Sequence, residues 1–479
     1  MQFCRYYDLD QPINVHLLEK LIEMQGSKSI LFVTTLSSFL TPFMGSAINI
    51  ALPTMGKELS LNTIALGWVS TSYLLAAAVF LLPFGRLADT YGRKLFFLAG
   101  IIVFSLGASF TALSGNQIML LGSRVINGIG GAMIYATAIA ILTSAFPKEE
   151  RGKVLGINVA AVYLGLSVGP TAGGLLTDFW GWQSIFIVAA ILGMGMLPIA
   201  MQKLGNDRKQ ANSTKFDYKG SFLYAIGLAL VIYGFPEIAT LNGVILLAIG
   251  LGMLILFFRV ESKLSQPLLN VNIFKGNQVF IFSNLAAFIN YSATFALVFL
   301  MSFFLQKVKN FDAREAGFIL MAQPVMMTIF SPLAGKLSDR MEPRLVASVG
   351  MSITVAGLLG FAFLKDTTPL WYIIMFQVIL GLGFALFSSP NTNAVMSSVK
   401  PHHYGFASAT LGTMRLTGQT MSMGISLMII SLMMGNANIT HESDAGLLPS
   451  IRLAFLVFAV LCLIGVYFSL KRGTLHAKK

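Results

Sequence analysis

Fourteen stretches of this chain are long and apolar enough to cross a lipid bilayer, at about 29–53, 64–84, 95–113, 117–143, 154–177, 182–204, 219–236, 241–259, 277–305, 315–335, 345–364, 369–394, 404–434 and 449–470. A spanning helix needs roughly 20 mostly apolar residues. Inside hydrocarbon a backbone must satisfy its own hydrogen bonds, so runs of this length fold as helices. Only 11% of residues are charged and 55% are hydrophobic, with a mean hydropathy of +0.75, outside the range of water-soluble domains. The expected fold class is therefore an all-α integral membrane protein with 14 transmembrane helices.

An even number of spans leaves both ends of the chain on one side. That side collects 25 of the 33 Lys and Arg residues and the opposite side six, with Arg124 and Arg415 inside spans. By the positive-inside rule the termini are cytoplasmic and the protein is a multi-pass component of the cell membrane. The net charge of +13 is read as topological, because no basic cluster is interleaved with base-stacking aromatics, and no nucleic-acid partner is expected. Cys4 and Cys462 have no disulfide or metal-ligand spacing, and no cofactor or metal is expected. The first 28 residues lack a basic head followed by an apolar core, so no cleavable signal is expected. Within them Leu17, Leu18, Leu21 and Ile22 suggest a short amphipathic helix at the membrane surface.

Internal repetition organises the spans. GRLADTYGRK, Gly85 to Lys94, follows the second span, and GKLSDRMEPR, Gly335 to Arg344, follows the tenth, 250 residues later. Gly, Leu and Asp recur at matching offsets, and transport proteins are commonly built from duplicated bundles. Eight spans separate the copies rather than six. The two spans within 205–276 are therefore read as an insertion with cytoplasmic linkers between six-helix bundles 29–204 and 277–470. Segments 1–28 and 471–479 are the expected cytoplasmic ends.

The fifth span holds GLSVGPTAGG. Gly165, Gly169 and Gly173 fall four apart on one helical face, where a second backbone can approach closely, with Gly174 beside them. Pro170 lacks an N–H and should bend or loosen the helix there. Elsewhere Gly85 and Asp89 share a face near Gly92, Arg93 and Lys94, a placement that suits either a charge latch or simple topological charge. Arg124 lies within the fourth span, where a guanidinium costs at least about 2.5–3.5 kcal/mol and must meet a partner or a wet cavity. It suits either a cavity role or a brace between spans 1 and 4. Arg415 in the thirteenth span has the same two readings. Ser46, Asn49, Asn158, Tyr163, Asn290, Tyr291, Gln323, Gln377, Asn391 and Asn393 are the other polar groups in apolar runs. Each is either a solute contact or interhelical glue.

Four motifs carry a resemblance: NIALP at Asn49 to Pro53, the Gly85 to Lys94 loop, RVINGIGGA from Arg124 to Ala132, and the glycine stretch of the fifth span. Together they resemble the fourteen-span drug:proton antiporters of the major facilitator superfamily, multidrug efflux transporters whose fold is two six-helix bundles with two further spans inserted between them. The resemblance implies a monomeric secondary exporter of small amphiphilic molecules or drugs that alternates access and exchanges them for protons. It also implies roles for residues. Gly85, Asp89, Gly92, Arg93, Lys94, Gly335 and Asp339 would form a conformational lock. Arg124, Asn127, Asn49 and Arg415 would serve proton relay or line the cavity, and Gly165, Gly169, Pro170, Gly173 and Gly174 would form the antiporter hinge. Ser46, Asn158, Tyr163, Asn290, Gln323 and Asn391 are the candidate substrate contacts.

Two departures matter. Met44 stands where family members often carry a first-span acid, so the usual proton carrier is missing. Gln183, in WGWQSIF, replaces an expected arginine at the start of the sixth span. A transporter of the same fold for a defined metabolite, anionic or uncoupled from protons, is the alternative. No H-E-x-x-H, no paired intramembrane acids and no nucleotide-binding loop support an enzyme.

Overall fold

Each apolar run folds as helix because a chain in hydrocarbon has no other partner for its amides. The structure, a computed structural model, describes residues 15–146, 151–204, 216–238, 240–264, 268, 274, 276–400, 404–434 and 446–473. Six helices come first: α1 (Val15–Glu58), α2 (Thr63–Tyr91), α3 (Arg93–Ala112), α4 (Gln117–Ala145), α5 (Arg151–Trp180) and α6 (Gln183–Lys203). Next come α7 (Tyr218–Gly234) and α8 (Leu241–Glu261). The rest are α9 (Gln278–Thr294), α10 (Leu297–Phe303), a π-helical turn (Phe304–Val308), α11 (Ala313–Leu320), α12 (Ala322–Arg340), α13 (Pro343–Ala362), α14 (Leu370–Ser397), α15 (Tyr404–Met434) and α16 (Leu447–Lys471).

Among the described residues thirteen helical runs are long and apolar enough to cross a membrane. The fourteenth, α7, has 17 residues and at ~1.5 Å per residue falls a little short of a ~30 Å hydrocarbon core. Helices α1 to α6 pack on one another, and α9 to α16 do the same. The two groups meet along α2 against α15 and α5 against α11 and α12. The α7–α8 hairpin, closed by Gly227 against Gly250, packs on α2 and on α15. The start of α3 meets the end of α6 through Lys94 Nζ and the Leu204 carbonyl, 2.5 Å apart. In the second group Ser348 of α13 meets Ser469 of α16 at 2.8 Å. These contacts fix a terminal side, where α1 begins and α16 ends, and a far side opposite.

The structure corrects several expectations. The expected surface helix and the first span are one continuous helix from Val15; the side chains of Leu17, Leu18, Leu21 and Ile22 lie outside the description, as does Cys4. The ninth span breaks between α9 and α10, and the freed Ala296 N–H donates to Ser422 Oγ of α15 at 3.0 Å. The tenth breaks between α11 and α12, where Pro324 cannot donate back to Leu320. Helix α5, in contrast, runs unbroken through Pro170.

Candidate functional site

Glycine spacing places α5 against both halves. A Cβ at Gly165 would stand 2.5 Å from the Phe39 carbonyl oxygen, at Gly169 2.7 Å from Ser46 Cβ, and at Gly173 2.7 Å from Ala47 Cα, so this face lies directly on α1. The next face turns to the second half. A Cβ at Gly174 would stand 2.5 Å from the Ala313 carbonyl oxygen, and one at Gly317 of α11 2.3 Å from that of Pro170. Pro170 leaves the Leu166 carbonyl without its helical donor, and Ser46 Oγ of α1 donates to it at 3.3 Å. Ser46 thus belongs to the seam. Further contacts join the halves: Gln306 Nε2 donates to the Ile50 carbonyl at 2.9 Å, and Ser167 and Thr328 hydroxyls lie 2.9 Å apart.

Between the halves lies a polar aromatic cluster. The Arg415 guanidinium of α15 stands 5.2 Å from the centre of the Tyr291 ring of α9, and its charge also acts on Tyr163 of α5 and Tyr135 of α4. Tyr291 meets Phe384 of α14 edge-on at 5.5 Å, and Tyr163 Oη lies 3.0 Å from Ser388 Oγ. Arg415 and Tyr135 keep part of their surface exposed although both are mid-helix. Arg415 Nε has no hydrogen-bond partner. Tyr135, Ser388 and Phe384 were not legible as site residues. A signal for Tyr135 exists in the stripe Arg124, Asn127, Gly128, Gly131, Tyr135, spaced three and four apart on α4.

Arg124 is fully buried in the first half. Its Nε donates to the Val69 carbonyl of α2 at 3.0 Å and its Nη1 to Asn127 Oδ1 at 2.8 Å, while Asn127 Nδ2 donates to the Phe104 carbonyl of α3 at 2.8 Å. The guanidinium lies 4.6 Å from the Tyr73 ring centre and 5.6 Å from that of Phe186 of α6. The brace therefore runs from α4 to α2, α3 and α6 rather than to α1. Trp182, which abuts Phe186, donates its indole N–H to Glu58 Oε2 at 2.7 Å, so the end of α1 is held beside Gln183 without an arginine. Asn49 braces as well, accepting from Ser70 Oγ of α2 at 3.0 Å. Met44 is wholly buried in the apolar core.

At the terminal side Arg93 Nε donates to Asp89 Oδ1 at 2.8 Å, and Arg93 Nη1 to Ser144 Oγ of α4 at 3.2 Å. The pair is partly exposed and stays inside the first half. Gly92, at φ 118°, makes the α2–α3 turn in a backbone region closed to most side chains. In the second copy Glu342 and Pro343 occupy the positions of Gly92 and Arg93, and Asp339 instead accepts from Asn393 Nδ2 at 3.2 Å. Gly335 faces Ser389, whose Oγ would lie 2.9 Å from its Cβ.

Other candidates disperse. Asn391, one turn beyond Ser388 on α14, is engaged elsewhere: it accepts from Arg472 Nη1 at 2.9 Å and donates to the Ser283 carbonyl at 3.2 Å. Arg472, expected in a solvated tail, is 1% exposed; its Nε donates to the Ser469 carbonyl and its Nη2 to Ser469 Oγ. Burial first, and the like charge of Arg344 second, lower its pKa to about 10. The Gln323 carbonyl would lie 2.3 Å from a Cβ at Gly381, a close helix crossing. Asn290 and Gln377 are buried without side-chain partners, and Asn158 Oδ1 has none. Among the described residues no His, Cys, Asp and Glu cluster could hold a metal ion.

Two helical groups facing one another across this cluster, joined by a backbone seam, define a multi-pass membrane transporter. Residues 34–423 and 284–479 match the Major Facilitator Superfamily profile, and the chain belongs to that family. It is 31% identical over 389 residues to the riboflavin transporter RibZ of Clostridioides difficile, covering 81% of this chain and 84% of that one. It is 28% identical over 407 residues to the multidrug resistance protein Stp of Mycobacterium tuberculosis, covering 82% and 74%. In fold it is similar to a bacterial homolog of the human lysosomal transporter Spinster, solved inward-facing and unoccupied, with a TM-score of 0.69, 17% identity, and 93% and 97% coverage.

Proposed function

We propose that this protein is a secondary exporter of small amphiphilic molecules, with its terminal side in the cytoplasm of a cell-membrane orientation set by the basic loops. The observation that carries this reading is the α5 seam, in which backbone meets backbone across the halves at Gly174 with Ala313 and Gly317 with Pro170. Such a contact acts as a pivot, because packed backbones roll over one another without side chains to shear. Likeness to a multidrug resistance protein supports export of drug-like solutes.

Proton exchange is the coupling that the resemblance implies. With Met44 in the core and the described carboxylates at helix ends, the proton site falls to a peripheral carboxylate or to an acid on the solute. The test is solute flux from proteoliposomes with and without an imposed pH gradient. Gradient-driven flux supports an antiporter, flux indifferent to the gradient leaves a facilitator, and no flux of any solute removes the transport reading.

A second reading, transport of a defined metabolite, is favoured by the Arg415 cluster, which holds one cation among tyrosines, and by likeness to a riboflavin transporter.

A further inference from the structure

Arg124, Arg472 and Arg415 are drawn into the helical assembly, and their surroundings differ. Arg124 is tied to a carbonyl and an amide oxygen within the first half. Arg472 is tied to a carbonyl, three hydroxyl or amide oxygens and one end of the second half. Arg124 Nη2 and Arg415 Nε are both left without a partner, but Arg415 alone of these three sits between the halves, hydrogen-bonded to Tyr291 and with Tyr163 and Tyr135 as further electrostatic neighbours.

We infer that Arg415, Tyr291, Tyr163 and Tyr135 form the binding site for a planar aromatic anion, whose carboxylate, sulfonate or phosphate supplies the counter-charge that the protein withholds. This rests on the transport reading above.

A guanidinium within a bilayer protein is costly without an opposite charge, so an entering anion offsets that cost whereas an entering cation adds repulsion. Arg415 lies with Cζ 5.2 Å from the Tyr291 ring centre and shares a hydrogen bond with that tyrosine, which leaves the unpartnered Nε–H and the remaining guanidinium N–H groups to meet an oxyanion in forked geometry. The aromatic walls supply the second selection. Tyr291 and Phe384, at 74° to each other, form a corner, and Tyr163, bonded to Ser388, comes from the opposite half. A flat ring entering here gains stacking contacts and touches both bundles at once. Occupancy is thereby sensed by both halves, as alternation of access requires.

The probes are two dyes sharing one xanthene plane: fluorescein, anionic at pH 8, and rhodamine 123, cationic. Fluorescence anisotropy on the purified full chain is expected to give a Kd for fluorescein at least tenfold below that for rhodamine 123. Arg415→Gln is expected to raise the fluorescein Kd at least tenfold while leaving rhodamine 123 within twofold or tighter. Arg415→Lys, which keeps the charge and loses the fork, is expected to fall between, and it carries the test if the glutamine variant does not fold. Equal affinity for the dyes, preference for rhodamine 123, or a parallel shift of both in the variants would overturn the proposal. Flux in proteoliposomes separates the two levels. Anion-selective binding without movement supports the site and strikes the transport reading; charge-indifferent movement strikes the site and leaves transport standing.

Discussion

Gly317 and Pro170 face each other across the two halves so closely that a Cβ on the glycine would lie 2.3 Å from the proline's carbonyl oxygen. The neighbour is backbone and cannot swing aside, so the halves themselves would have to part. Gly317→Ala is expected to cost this arrangement about 1–3 kcal/mol, the usual penalty of overpacking, and to lower flux severalfold. Labelling of Thr171→Cys by a membrane-impermeant maleimide added on the far side should rise in the Gly317→Ala background. Unchanged labelling and flux would show that the contact does not govern opening.

Ser46 and Pro170 should be energetically coupled, because the proline creates the bare Leu166 carbonyl that the serine hydroxyl meets. Ser46→Ala is expected to lower stability by about 0.5–1.5 kcal/mol. In a Pro170→Ala background, where the backbone N–H returns, the same change should cost little. A double-mutant cycle read by thermal unfolding in detergent checks this, and strict additivity would contradict it.

Arg124→Ala removes the donor that joins α4 to Val69 and strands the Asn127 oxygen. Membrane insertion should persist, while the melting temperature falls by several degrees, consistent with about 1.5–3 kcal/mol per charged hydrogen bond. Transport should drop with it. Arg124→Lys should not restore stability, since one ammonium cannot reproduce a planar fork; full rescue by lysine would show that charge alone matters.

Asp89 and Arg93 form a partly exposed pair within one half, and solvent-facing pairs contribute about 0.2–1 kcal/mol. Asp89→Asn should therefore leave the melting temperature nearly unchanged. If the carboxylate engages the second half when the terminal side closes, flux should nevertheless fall severalfold. Wild-type flux would confine Asp89 to a structural role.

The helices were legible because a bilayer-length apolar run has few alternatives, and the seam was legible because glycines four apart mark a helical face. The breaks at Ala296 and Met321 were less so. Each depends on a partner remote in sequence or on a single proline, and Ser422 is 126 residues from the amide it accepts. Asn391 illustrates why polar residues in spans misdirect: its partner is Arg472, a residue that reads as solvated tail. Arg124 and Arg415 looked alike in sequence. Only packing distinguishes a guanidinium anchored within one half from one stationed between two.

The α7–α8 hairpin stands on both helical groups. Tyr224 Oη donates to the Ala78 carbonyl of α2 at 2.9 Å, and Tyr233 rests on Trp68, 5.5 Å between ring centres. Toward α15 it offers Phe235, 3.8 Å from where a Cβ of Gly424 would stand. The Tyr224 hydroxyl also reaches Thr417 of α15, so the hairpin is tied to both groups, to α2 by a carbonyl and a ring contact and to α15 by this hydroxyl. Any tilt of one group against the other would have to break one of these two ties, so the hairpin is a clasp laid over the α2–α15 joint rather than a free rider on it.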